Sequence, residues 1–244
     1  MSRLPIALLE PDPHAPFPPA QRALDEPDGL LAAGGDLSPI RLLNAYRHGI
    51  FPWYSQGQPI LWWCPAVRSV FATDGVRLSS RFRRSLKKSS WTVRADTAFA
   101  DVIAACANAP RPGQDGTWIT DAMIHAYTEM HRLGHAHSIE VFDGDRLVGG
   151  LYGIAIGRAF YGESMFSQVR DASKIAFAHL CVYLKQQEFG IIDCQMETTH
   201  LTSLGARLMD RSDFVTRLAA LTQSGPPPGS WPAMAIDGYF KRAQ

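Results

Sequence analysis

Three apolar segments, HSIEVF, LVGGLYGIAIG and AFYGESMF, follow one another between His137 and Phe166 with only DGDR and GR as breaks. Links that short join antiparallel neighbours, because a parallel crossover needs about a dozen residues or more. The stretch therefore predicts a three-stranded antiparallel meander around which the rest must be arranged. Ahead of it, TDAMIHAYTEMHRLG has Thr120 as helix cap and Gly134 as stop. After it, DASKIAFAHLCVYLKQQEFG predicts a long helix capped by Asp171 and ended by Gly190. IIDCQM predicts a further strand, and SDFVTRLAALTQ a last helix before the GPPPGSWP tail. Helix, three strands, helix, strand, helix implies an α+β mixed sheet with helices packed on it.

The first 36 residues carry seven prolines and predict an irregular arm. DLSPIRLLNAYRHGIF then predicts a helix with Ser38 as N-cap, Pro39 in its first turn and Gly49 beyond its end. FPWYSQGQPILWWCP is loop-rich and aromatic, VRSVFA a strand, and SSRFRRSLKKS a short basic helix. DTAFADVIAACAN has Asp96 as cap and Phe99, Val102, Ile103 and Cys106 on one helical face. The Pro/Gly run APRPGQDG at 109–116 suggests a division into residues 1–110, with the arm and basic helix, and 111–244, with the meander.

No run approaches the roughly 18 apolar residues of a membrane helix, and the start lacks a signal peptide's apolar region and cleavage site. The expectation is a cytoplasmic protein without a membrane partner. Cys64, Cys106, Cys181 and Cys194 lack paired spacing, so neither disulfides nor a structural zinc is expected. His131, His135 and His137 form an HxxxHxH string, but the expected helix end at Gly134 interrupts it. Surface histidines beside a turn, and no metal, are expected there. The chain has 24 Lys+Arg against 23 Asp+Glu, yet between Asp74 and Asp96 it has no acid and seven cations. Arg77, Arg81, Arg83, Arg84, Lys87, Lys88 and Arg94 make a local positive field suited to phosphates, or else a solvated helix face.

Several chemistries have no motif here: GxxxxGK[ST], GxGxxG and GxSxG are all missing. A CoA-binding transferase would place a Gly-rich loop between strand and helix, whereas that junction is MFSQVRDASK, with no glycine. No cofactor is expected.

FPWY with LWWCP (51–65), TWIT (117–120), LVGGLYG (147–153), YGESMFS with ASK (161–174), and DCQ with HLTSLGA (193–206) stand in one order. That ordered set resembles the bacterial leucyl/phenylalanyl-tRNA–protein transferases, from about residue 30 to about 215. Cys64 and the MDR run at 209–211 depart from the pattern. The resemblance implies that Leu or Phe, Met less readily, passes from aminoacyl-tRNA to the α-amine of a protein starting with Arg or Lys. The acceptor is thereby marked for degradation. It also implies a smaller N-terminal α/β part packed on a C-terminal acyltransferase-like (GNAT-like) mixed sheet with helices. A monomer is expected.

The implied reaction assigns roles to residues. Arg81, Arg83, Arg84, Lys87 and Lys88 would hold tRNA phosphates. Trp53 and Trp118, in loop-like contexts, would stack on the terminal adenine, core packing being the alternative. Trp62 and Trp63 suit core and rim. Leu151, Phe160, Met165, Phe177 and Ile192 would wall the donor side-chain pocket, and Tyr127 would join the substrate-binding set. Without the resemblance all five walls would be plain core, and strand alternation puts Phe160 and Met165 on opposite faces unless a bulge intervenes. Asp193 and Gln195, two apart on one strand face, and Glu163 in a nearby strand are the candidates for the chemistry. A satisfied buried network is the alternative. Two other functions fit the same residues: another aminoacyl-tRNA- or acyl-CoA-dependent transferase on this fold, or a non-catalytic RNA-binding module.

Overall fold

In the computed structural model, residues 6–74, 76–88, 90–110, 117–229 and 231 are described, with the side chains of Ser85, Lys87 and Lys88 excepted. The chain starts with β1 (Ala7–Leu9), a 3₁₀ turn at Ala20–Arg22 and β2 (Leu30–Gly34). These are followed by α1 (Pro39–Arg47), β3 (Phe51–Pro52) and β4 (Leu61–Trp63). The four strands form one sheet in the order β1-β2-β4-β3. The expected irregular arm is thus corrected: the buried run Leu30–Ala33 makes β2 a central strand between β1 and β4. Short strands among prolines give too little alternation to be seen in the sequence.

The second sheet begins with β5 (Val67–Phe71), followed along the chain by α2 (Ser80–Lys88), the edge strand β6 (Thr92–Ala95), α3 (Phe99–Asn108) and α4 (Asp121–Arg132). The meander is present as β7 (Ala136–Asp143), β8 (Arg146–Ile156) and β9 (Ala159–Ser167), all antiparallel. Helix α5 (Ala172–Gln186) crosses over to β10 (Ile191–Asp193), which pairs parallel with β9. The chain continues through α6 (Thr199–Leu204), β11 (Arg207–Asp210) and α7 (Arg211–Leu221). The sheet order is β11-β5-β10-β9-β8-β7-β6, so strands from both sides of residue 110 share it. The α+β class with a mixed sheet holds; α6 and β11 are additions, and β11 is an exposed edge strand without alternation.

Two layers cover the large sheet. Tyr152, Ile154 and Tyr161 pack with α3 and α4, whereas Leu151 and Phe160 pack with Ile175, Phe177 and Leu180 of α5. Ser38 and Thr120 cap α1 and α4 through Arg41 N–H and Met123 N–H. Asp96 caps nothing: Ala98 holds the N-cap position of α3, and the Asp96 carboxylate accepts from Ser138 N–H and Trp231 N–H instead. Asp171 is at the N-cap of α5 but gives no side-chain cap, and α5 stops at Gln186 rather than at Gly190. The histidine expectation is corrected as well, since His137 is 2% exposed and hydrogen-bonded to Asp96 at 2.8 Å. Among the described residues no His, Cys, Asp or Glu group is placed to hold a metal, and no helix is long and apolar enough to cross a membrane.

The β8–β9 ladder depends on a missing side chain. A Cβ on Gly153 would collide with the Tyr161 carbonyl oxygen and lie 2.5 Å from Cζ of Phe160. Gly153→Ala should destabilise the protein by about 1–3 kcal/mol, the usual cost of overpacking. Gly162→Ala, whose Cβ would meet only the Asp193 carbonyl at 3.7 Å, should cost clearly less. Urea midpoints of the two variants measure the difference.

Candidate active site

A cavity of about 290 Å³ opens beside the C-terminal ends of β9 and β10. Leu151, Phe160, Met165, Phe177 and Ile192 all line it. Phe160 and Met165 share it because the β8–β9 register slips: Gly153 faces Gly162, but the next residue, Tyr152, faces Ser164. Glu163 is the extra residue of this β-bulge. It resets the alternation, so that Phe160 and Met165 join the α5 side while Phe166 turns to the opposite layer. Cys194 also lines the cavity. Burial pushes its thiol well above the ordinary cysteine range, which disfavours the thiolate.

Glu163 and Gln195 also line the cavity. Glu163 Oε1 accepts from Tyr46 Oη at 2.7 Å and from Gln195 Nε2 at 2.9 Å, and its Oε2 accepts from Tyr127 Oη at 3.2 Å. The hydroxyls of Tyr46 and Tyr127 also contact each other. Tyr127, expected to bind substrate, is fully buried behind Glu163 and does not line the cavity. Burial pushes the Glu163 carboxyl up to about 7, against hydrogen bonds from Tyr46, Tyr127 and Gln195 that favour the charged form.

Asp193 lies one layer deeper, with no exposure. Its Oδ1 accepts from Arg68 Nε at 3.2 Å and from Gln195 N–H at 2.9 Å, and its Oδ2 accepts from Arg68 Nη2. Arg68 donates its other nitrogen to the Gly49 carbonyl at 2.5 Å. Its guanidinium sits 4.9 Å from the Phe51 ring and 4.5 Å from the Phe214 ring. The expected shared strand face of Asp193 and Gln195 is corrected: β10 ends at Asp193, and Gln195 takes a left-handed φ of 58°. The turn, not strand alternation, brings the Gln195 amide to Glu163. Sequence reasoning missed Arg68 and Tyr46. A lone cation inside the apolar strand VRSVFA was the available signal for the first.

At the mouth, Trp53 and Trp118 stand between this cavity and an adjoining one of about 860 Å³. The Trp53 carbonyl accepts from Trp63 Nε1 at 2.7 Å, while Trp62 is fully buried. On α2, Arg81, Arg83 and Arg84 are exposed, and Phe82 and Leu86 anchor the helix in the core. The side chains of Lys87 and Lys88 lie outside the described residues. The whole can seat a small branched or aromatic apolar group, with a carboxyl and an amide at its head.

Residues 70–219 match the leucyl/phenylalanyl-tRNA protein transferase family, and residues 35–66 match its N-terminal domain. A leucyl/phenylalanyl-tRNA–protein transferase of Xanthomonas campestris pv. campestris (strain B100) is 62% identical over 231 residues, covering 95% of this chain and 93% of its own. One from Xanthomonas euvesicatoria pv. vesicatoria (strain 85-10) is 67% identical over 222 residues, 90% and 88% of the two chains. The crystal structure of FemX superposes with a TM-score of 0.44 at 12% identity, over 70% of this chain and 66% of that one.

Glu163 gives the fold a pH signature. Its folded value of about 7 exceeds the ordinary 4.5, so the folded state holds a proton that the unfolded chain releases. The stability this group contributes should be fully present below about pH 4.5 and be lost as the pH rises to about 7, by at most about 1.4 kcal/mol per pH unit for each such group. Glu140, which burial also pushes up to about 7, adds to the slope. Glu163→Gln should flatten part of the decline in urea midpoint between pH 5 and 7.

Proposed function

The chain belongs to the leucyl/phenylalanyl-tRNA–protein transferase family, and we propose that it moves Leu or Phe, Met less readily, onto proteins that start with Arg or Lys. As a member it is an aminoacyltransferase that uses aminoacyl-tRNA. The acceptor's α-amine nitrogen attacks the ester carbonyl carbon. A C–N bond forms, the C–O bond to the tRNA ribose breaks, the amine loses a proton and the ribose oxygen gains one. Exchange of an ester for an amide runs downhill, so the reaction needs no further energy source. The product would be marked for degradation, in the cytoplasm, by a protein acting as a monomer.

The observation that carries this reading is a mainly apolar cavity that Glu163, Gln195 and two tryptophans, Trp53 and Trp118, all line. The donor side chain enters between Phe160, Met165 and Phe177. The terminal adenine stacks on Trp53 and Trp118, a contact of about 1–3 kcal/mol per base. Arg81, Arg83, Arg84, Lys87 and Lys88 take the phosphates. A free α-amine titrates at about 7.7–8.0, so a carboxyl near 7 is well matched to receive its proton and to face the acceptor's cation. Asp193 is a positioning residue. Its oxygens are occupied by Arg68 and by Gln195 N–H, so it acts on the amine only through Gln195.

Incubation with labelled Leu-tRNA and a protein starting with Arg tests the reading. Leu and Phe should transfer, and Val and Ile should not, because branching at Cβ crowds the ester. Glu163→Gln and Gln195→Ala should lower kcat by about 10²–10³-fold with donor binding retained. Asp193→Asn should be slow at every pH. Recovery at pH 9, where the amine is neutral unaided, would make Asp193 a base instead. Label on a different acceptor class, or tRNA retention without transfer, would contradict the proposal.

A further inference from the structure

Phe160 lines the cavity, and its ring packs on two groups that do not line it. One is the bare backbone of Gly153, where a Cβ would lie 2.5 Å from Cζ and 2.7 Å from Cε1. The other is Trp231, a residue from beyond α7, with ring centroids 5.8 Å apart. Trp231 is itself firmly seated. Its indole stacks on His137 at 4.1 Å with an interplanar angle of 4°, and packs 4.7 Å from Tyr183 of α5. Its backbone N–H donates to Asp96 Oδ2 at 2.9 Å, the same oxygen that pairs with His137 Nδ1. The Asp96 carboxylate thus binds Trp231 and His137 instead of capping α3.

We propose that Trp231 is a specificity-determining residue for the donor amino acid, setting the depth of the cavity from behind Phe160. The inference rests on the reading of this cavity as the donor pocket. Trp231 itself does not line the cavity. With the indole in place, the Phe160 ring cannot retreat, and it stops a longer aromatic group. With the indole gone, the void behind Phe160 lets the ring swing back and lengthens the cavity along the axis of a bound phenyl ring. Volume steps of this kind discriminate by roughly 10–200-fold in apolar pockets.

The test compares kcat/KM for tRNA charged with Leu, with Phe and with para-bromophenylalanine. Trp231→Ala should raise the para-bromophenylalanine-to-Leu ratio roughly tenfold, and Trp231→Phe should return it near the wild-type value. Circular dichroism and urea midpoints establish that each variant is folded; where Trp231→Ala is not, Trp231→Leu takes its place with a smaller rise in the same direction. A folded variant in which all three donors fall by one common factor overturns the proposal and leaves Trp231 a structural support. Wild-type protein that transfers none of the three overturns the donor-pocket reading itself, which separates the two failures.

Discussion

The buried pair of Arg68 and Asp193 is the constraint on which the rest of the site depends. Neither side chain meets water, so each charge is tolerable only with the other in place, and removal of one partner alone typically costs about 3–5 kcal/mol. The pair ties β5 to β10 across the sheet. Arg68 also reaches the Gly49 carbonyl after α1 and lies between rings from β3 and α7, so elements of both sheets converge on one guanidinium. From Asp193 the order passes outward: its Oδ1 holds Gln195 N–H in the turn after β10, the Gln195 amide meets Glu163, and Glu163 meets two tyrosines. Only its middle members, Gln195 and Glu163, face the cavity.

The bulge at Glu163 supplies the second condition. One extra residue in β9 turns Met165 to the same side as Phe160 and leaves Glu163 at the junction between apolar wall and polar network. An unbroken strand would bury Phe160 and expose Met165 to the other layer. Gly153, paired with Gly162 beside the slip, gives the ladder room, because a Cβ there would collide with the Tyr161 carbonyl oxygen.

Much of this was legible in the residues, and what was not has a physical reason. Short links fix the antiparallel meander, and Ser38 and Thr120 sit where their hydroxyls accept from the first helical turn. The five apolar wall residues gather as expected. Alternation alone could not supply the bulge, because period-two logic carries no signal for an inserted residue; the conflict between Phe160 and Met165 was its only trace. Asp193 was visible as a polar residue in an apolar strand, but its partner Arg68 lies 125 residues earlier, and no local pattern links the two. Asp96 looked like a helix cap because its nearest neighbours suit one; its actual partners are His137 and Ser138 of β7 and Trp231, far along the chain. The N-terminal sheet was hidden by prolines and by strands of two to five residues.

A structure of the protein with leucine joined through an amide to the 3′ position of adenosine tests the central claim most directly. The leucyl side chain should lie between Phe160, Met165 and Phe177, with the amino group within hydrogen-bond reach of Glu163 or Gln195, the adenine against Trp53 and Trp118, and Asp193 still bound to Arg68 without touching the ligand. A leucyl group seated elsewhere, or Asp193 released from Arg68 and in contact with the ligand, would contradict that claim.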